Sequence, residues 1–182
     1  MAEESSTQTP AATPITADDV LTTLQERGWL DPATPLDEPL RQWIEQAAAW
    51  LGRFATDREK LAELLELVFH YDARAILASA ESHAVLARQG AREVLRELAL
   101  ELLAGPPVDS DRFRELVERI RQRTGWKGRE LFHPLRLALA GRAGEGELDR
   151  VILLLDQAAT LPFCVPVKGT RDRILEFCSV LD

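Results

Sequence analysis

The chemistry that this sequence could support is concentrated in a basic stretch of an otherwise acidic chain. Residues 112–142 carry nine Lys and Arg against three acids, a net charge of +6, whereas the whole chain of 182 residues has a net charge of −8. The other residues therefore carry −14. Such a separation of charge can steer a polyanion to one face of a protein that would otherwise repel it. The stretch predicts a surface for an anionic partner, with a nucleic acid as the first candidate.

Candidate RNA-binding residues lie in and near this stretch: Arg53, Trp126, Lys127, Arg129, Arg136 and Arg142. Cationic side chains bind phosphates, and an aromatic ring can stack on an unpaired base. Each residue also has a structural interpretation. Arg136, between two leucines, could form a salt bridge that fixes a turn, and Trp126 could fill a gap between helices. The cations in the glycine-rich turns could be solvated loop residues.

No pattern typical of an active site accompanies these residues. The histidines at positions 70, 83 and 133 are scattered, and no serine or cysteine with a matching acid forms an evident triad. Cys164 and Cys178 have no histidine at ligand spacing, so no metal site is expected, and we interpret them as reduced thiols on buried faces. No Walker-type phosphate loop is present. We therefore expect no cofactor and no catalytic activity of the chain by itself.

The elements that position these side chains are predicted to be helices throughout. Leu and Ala recur at helical spacing, and no convincing run of alternating β-branched residues occurs. The predicted fold is all-α, with roughly eight to nine helices in two small subdomains. A leader at residues 1–16 is predicted to be disordered. The first subdomain covers residues 17–105 and the second 106–182, with Gly105-Pro106-Pro107 as the boundary.

Capping residues and helix breakers predict where the helices begin and end. Thr16 caps residues 17–27, Asp37 opens a helix that Gly52 ends, and Thr56 to Glu59 has the pattern of a capping box. Pro134 is expected at the first position of a short helix, and Thr170 as the cap of the last one. The remaining helices are predicted at residues 72–80, 81–104, 110–124, 147–161 and 171–181.

The basic stretch has a family resemblance. Its segment TGWKGRELFHPLRLALAGRAGEGEL (124–148) resembles the closing module of bacterial-type glutamyl-tRNA synthetases. That family shows a Thr-Gly turn, a Lys-Gly pair, a Pro-Leu-Arg string, a small-residue helix and a glycine turn. The matching residues are Thr124, Gly125, Lys127, Gly128, Leu131, Phe132, Pro134, Leu135, Arg136, Ala138, Leu139, Gly141, Gly144, Glu147 and Leu148. A weaker likeness in WLGRFATDREKLAELLELVFHYD (50–72) extends the match to residues 37–155.

The resemblance implies that these helices form an all-α anticodon-binding domain, a helical cage that packs against the anticodon loop of tRNA. The family's class I catalytic domain and its two ATP-binding motifs are not found here, so the resemblance implies a free-standing module acting in or beside aminoacylation. tRNA is the expected partner, with a separate synthetase or another protein as a further one. No run of about 18 apolar residues and no secretory signal occur, so we expect no membrane partner and a cytoplasmic location.

The chain departs from the family pattern at three places. Ala140 stands where the family usually has threonine, Gly146-Glu147 replaces a Gly-Pro-Glu string, and the tail 156–182 differs. These departures leave open the alternative of a protein-interaction or regulatory module that kept the fold and lost RNA binding.

Overall fold

The computed structural model describes residues 13–182, and in that range the chain is all-α with no strand. Residues 1–12 of the predicted leader lie outside the described residues. The helices are α1 (Ala17–Glu26), α2 (Glu38–Leu51), α3 (Arg58–Phe69), α4 (Ala73–Leu77), α5 (Ala80–Leu86), α6 (Ala91–Ala104), α7 (Ser110–Thr124), α8 (Arg129–Ala140), α9 (Gly146–Ala158) and α10 (Thr170–Leu181). The predicted fold class is confirmed.

Several helix ends follow the capping signals in the sequence, and one predicted cap is shifted by a single residue. Thr16 forms a capping box with Asp19, and the Asp37 carboxylate accepts from the Leu40 amide. The third cap was predicted one residue too early. Asp57 caps α3 by accepting from the Lys60 amide, so Thr56 is not the cap. A carboxylate in this position also interacts favourably with the positive end of the helix dipole.

The helix predicted over residues 81–104 is two helices, because the chain turns at Gly90. Gly90 has a φ of 89°, and a Cβ atom there would overlap the Trp126 indole ring. Two independent constraints therefore require glycine at position 90: the positive φ and the space taken by the Trp126 ring. The close approach lets the loop between α7 and α8 pack against the start of α6.

The helix that contains Pro134 begins earlier than predicted. It starts at Arg129, directly after Gly128 with a φ of 60°, and Pro134 lies inside it. Proline there removes a single intrahelical hydrogen bond, the one that would end on the Glu130 carbonyl. The two amides that follow Glu130, at Leu131 and Phe132, both donate to the Gly128 carbonyl and hold the first turn.

The last helix is held by buried polar contacts. Thr170 is its first residue and does not cap it; the Thr170 amide and hydroxyl donate to the Asp156 carboxylate on α9. Arg173 is fully buried, and its guanidinium donates to backbone carbonyls near the ends of α3 and α8. One hydrophobic core joins residues on both sides of Gly105, and the division into subdomains there stays a prediction.

The two cysteines are not bonded to each other, and only one of them is partly covered. Cys178 is half-buried, whereas Cys164 is exposed in the loop before α10, so its predicted buried position is wrong. None of the described helices is both long enough and apolar enough to cross a membrane.

Candidate nucleic-acid interface

Much of the charge counted in the basic stretch is neutralised in three dimensions. All five arginines of α7 pair with carboxylates, and Arg112, Arg119 and Arg123 converge on the buried Glu101 of α6 at 3.0 to 3.2 Å. Arg114 pairs with Asp111 and Arg121 with Glu118. The +6 stretch is therefore not a +6 surface. The count along the chain omitted acids such as Glu101 that lie outside the stretch but next to it in space.

Arg136 is also committed to an acid. Its guanidinium makes a two-pronged contact with Asp149 at 2.7 and 2.8 Å and donates a third hydrogen bond to the Gly144 carbonyl. Only 8% of Arg136 is exposed, and its guanidinium carbon lies 4.6 Å from the centre of the Phe132 ring. This geometry fits the structural interpretation of the residue, a salt bridge that fixes the loop after α8. A contact between Arg136 and RNA stays a prediction, and Arg136 is not counted among the cations available to a partner.

Trp126 is likewise held by the protein. Its ring packs on Gly90, and its indole N–H donates to the Glu93 carboxylate at 3.0 Å. The side chain is half-buried and fills the gap between the α7–α8 loop and α6. A ring with one face covered offers less surface for stacking on a base, and contact of Trp126 with RNA stays a prediction.

Four of the predicted residues remain available to an anionic partner. They are all exposed, and no carboxylate of residues 13–182 lies within 4.0 Å of their charged groups: Arg53, Lys127, Arg129 and Arg142. Their positions on the fold differ. Lys127 and Arg129 lie at the start of α8, Arg142 follows its end, and Arg53 follows α2.

The first of two groups that could contact an anionic partner lies where the α7–α8 loop packs against the α5–α6 turn. We call Arg88, Lys127, Arg129 and His133 the junction cluster. An Arg88 guanidinium nitrogen lies 2.8 Å from His133 Nδ1. Burial lowers the pKa of His133, and the nearby charges of Arg88, Arg129 and Arg136 lower it further, against an opposing effect of Glu145. His133 is therefore neutral at pH 7, with Nδ1 accepting the hydrogen bond from Arg88.

The second group lies at a groove lined by Asp149, the acid that Arg136 binds. We call it the Phe54 groove; its cavity has a volume of about 490 Å³ and is lined by Phe54, Ser110, Phe113, Arg114, Gly146, Asp149, Arg150 and Leu153. Phe54 is 38% exposed, unlike the aromatic rings of the core. Arg150 in the same wall has no ion-pair partner within the described range, and Arg53 adjoins Phe54 in the chain.

Sequence reasoning missed Arg88, Phe54 and Arg150. Arg88 lies in a turn that was predicted to be helix, and Arg150 lies on a helix interpreted only for its apolar face. The sequence did contain an indication that Phe54 is exposed. Phe54 follows Gly52, beyond the end of α2, and therefore does not belong to the periodic apolar face of that helix. Within residues 13–182, no three His, Cys, Asp or Glu side chains gather as metal ligands would.

Comparison with known proteins shows that the chain is similar to a known family. The family model described as "Anticodon binding domain" matches residues 17–162. Glutamate–tRNA ligase from Bacillus cytotoxicus is 32% identical over 128 residues, which cover 69% of this chain and 25% of that protein. Glutamate–tRNA ligase 2 from Syntrophus aciditrophicus is 29% identical over 139 residues, 70% of this chain and 29% of that protein.

A shorter match reaches higher identity. Glutamate–tRNA ligase 1 from a Chelativorans species is 43% identical over 63 residues, 35% of this chain and 14% of that protein. The chain thus spans less than a third of the length of these curated relatives. No solved structure matches it. Because the family model matches most of its length, the chain belongs to the anticodon-binding domain family related to glutamyl-tRNA synthetases.

Proposed function

We propose that this chain is a tRNA-binding module that acts in or beside tRNA aminoacylation and does not catalyse the reaction alone. The observation that carries the proposal is the Phe54 groove, in which an exposed aromatic ring and the unpaired Arg150 line one cavity in a chain of this family. Proteins that recognise RNA loops stack unpaired bases on aromatic rings and hold the backbone with cations.

The ring of Phe54 provides the surface for a base. The side chain lies beyond the end of α2 and is more than one-third exposed, at the mouth of a cavity whose walls come from α7 and α9. Leu153 and Phe113 supply apolar walls on which the edge of a base could rest. A stacked base is worth about 1–3 kcal/mol when the ring is truncated, irrespective of the base.

In this proposal, Arg150 in the groove and Arg53, the neighbour of Phe54 in the chain, supply phosphate contacts. Arg53 and Arg150 keep all their guanidinium N–H groups free of carboxylates, whereas Arg114 shares its charge with Asp111. Lys127, Arg129 and Arg142 extend the positive surface along both ends of α8. In this proposal Arg136 and Trp126 act indirectly, by fixing the loops on which these cations stand.

The alternative of a protein-interaction module receives little support from the tail. Among its apolar side chains, Ile174 and Phe177 are buried, Phe163 and Val165 pack against the core, and only Leu175 is well exposed. Because these side chains pack in or against the core, α10 exposes no broad apolar patch to which a partner protein could bind.

Truncating Phe54, the residue on which a base is proposed to stack, tests the proposal. Phe54→Ala is expected to weaken the binding of purified tRNA roughly tenfold, because a stacked base loses its platform. The salt dependence of binding should not change, since no charge is removed. The measurement is a fluorescence-anisotropy titration with labelled tRNA at several salt concentrations.

Leu36→Ala is the matched control, because Leu36 is also 38% exposed and lies away from the groove, in the loop before α2. Equal affinities for the Phe54→Ala and Leu36→Ala variants would show that Phe54 stacks on no base and would remove the main support for the groove.

A further inference from the structure

We infer that the junction cluster is a separate contact site for the phosphate backbone of a paired RNA stem, whereas the Phe54 groove takes unpaired bases. The inference rests on the proposed function, because it assigns two parts of one RNA hairpin to two sites on this chain. It concerns Arg88 and His133 in particular, which no sequence motif indicated.

The junction cluster carries exposed cations that can bind phosphates, and among the described residues no Phe, Tyr or Trp ring near it is free to stack on a base. The aromatic ring in its neighbourhood, Trp126, is packed on Gly90 and bonded to Glu93. Arg88, Lys127 and Arg129 are exposed, and no carboxylate of residues 13–182 lies within 4.0 Å of their charged groups. A paired stem hides its bases and displays its phosphates, which is what such a surface can bind.

The cluster is held in place before any RNA arrives. The contact between Arg88 and His133 Nδ1 takes one guanidinium nitrogen and leaves the other N–H groups of Arg88 for a ligand. The neutral ring orients the cation without neutralising it, as a carboxylate would. Glu93 is engaged by Trp126, while Glu130 and Glu145 are the acids that reduce the local charge.

One helix connects the two sites. Arg129 and Arg136 lie on α8 about 10 Å apart along its axis. The carboxylate that Arg136 binds, Asp149, lines the Phe54 groove. A loop and the stem that closes it are adjacent in any RNA hairpin, so a single hairpin can reach the groove with its loop and the junction cluster with its stem.

The test compares two RNA probes: a stem-loop carrying an anticodon loop, and a single strand with the loop sequence alone. The double variant Arg88→Gln/Arg129→Gln is expected to bind the stem-loop at least tenfold more weakly and to reduce the slope of log K against log salt by roughly 1.5. Its affinity for the single strand should equal that of the wild type. The variant Arg88→Lys/Arg129→Lys should restore most of the salt slope.

Arg74→Gln/Arg171→Gln is the matched control, with the same loss of charge at exposed positions on α4 and α10. If the wild type binds both probes and the junction double variant binds the stem-loop like this control, the inference is overturned and the proposed function stands. Equal weakening toward both probes also overturns it, since the cluster would then contact the loop. If the wild type binds neither probe, the proposed function itself fails.

Discussion

Replacing Arg173 by methionine is expected to lower the free energy of unfolding by about 3–5 kcal/mol, a large share of the 5–15 kcal/mol typical of a domain. Arg173 has no exposed surface, and its guanidinium donates to the carbonyls of Leu67, Val68, Leu139 and Lys168 at 2.7 to 2.9 Å. Methionine fills similar space but leaves these carbonyls without a donor. Urea denaturation followed by circular dichroism measures the change.

The charge state of Arg173 is compatible with this role. Burial lowers the pKa of its guanidinium to about 10, so the group stays charged at neutral pH despite the cost of desolvation. Arg171→Met, on the same helix but exposed, is the control and should change stability by less than about 0.5 kcal/mol. Equal midpoints for the two variants would show that the buried cation does not hold α3, α8 and α10 together.

Replacing Arg136 by methionine is expected to cost about 2–3 kcal/mol. The Asp149 carboxylate, with 21% of its side chain exposed, would lose both hydrogen bonds of the two-pronged pair, and the Gly144 carbonyl would lose its donor. Partial access of water to Asp149 keeps the cost below that of a fully buried pair. The change is read from urea denaturation at pH 7.

A double-mutant cycle separates this pair from general packing. Arg136→Met, Asp149→Asn and the double variant should give a coupling energy of about 1.5 kcal/mol, because the two side chains contact each other directly. Additive effects of the two substitutions would mean that the pair contributes nothing specific and that the loop after α8 is fixed by other contacts.

The helices were predictable because their signals are local. Apolar residues at helical spacing and stop signals such as Gly125 and Gly141, both with positive φ, act within a few residues. The predicted helix boundaries were wrong at positions where contacts between residues far apart in the chain determine the structure. Gly90 turns because Trp126 packs on it, and Thr170 bonds to Asp156 although its position in the chain predicts a cap.

The candidate site was harder to predict, because charge counted along a chain ignores acids that the fold brings near. Glu101 and Asp149 lie on α6 and α9, and together they engage Arg112, Arg119, Arg123 and Arg136. Arg88 remains available to an anionic partner, because the residue that it contacts across the fold is a neutral histidine and not a carboxylate. The family resemblance, confirmed over residues 17–162, indicated RNA binding independently of the charge count.

The measurement that tests the central claim most directly is a titration of the wild-type chain with purified tRNA between about 50 and 200 mM salt. Several phosphate contacts predict detectable binding at the lower concentration and a slope of log K against log salt of about −3 or steeper. No binding at about 50 mM salt would contradict the account. So would retention from a lysate of a protein partner that survives nuclease treatment while tRNA is not retained.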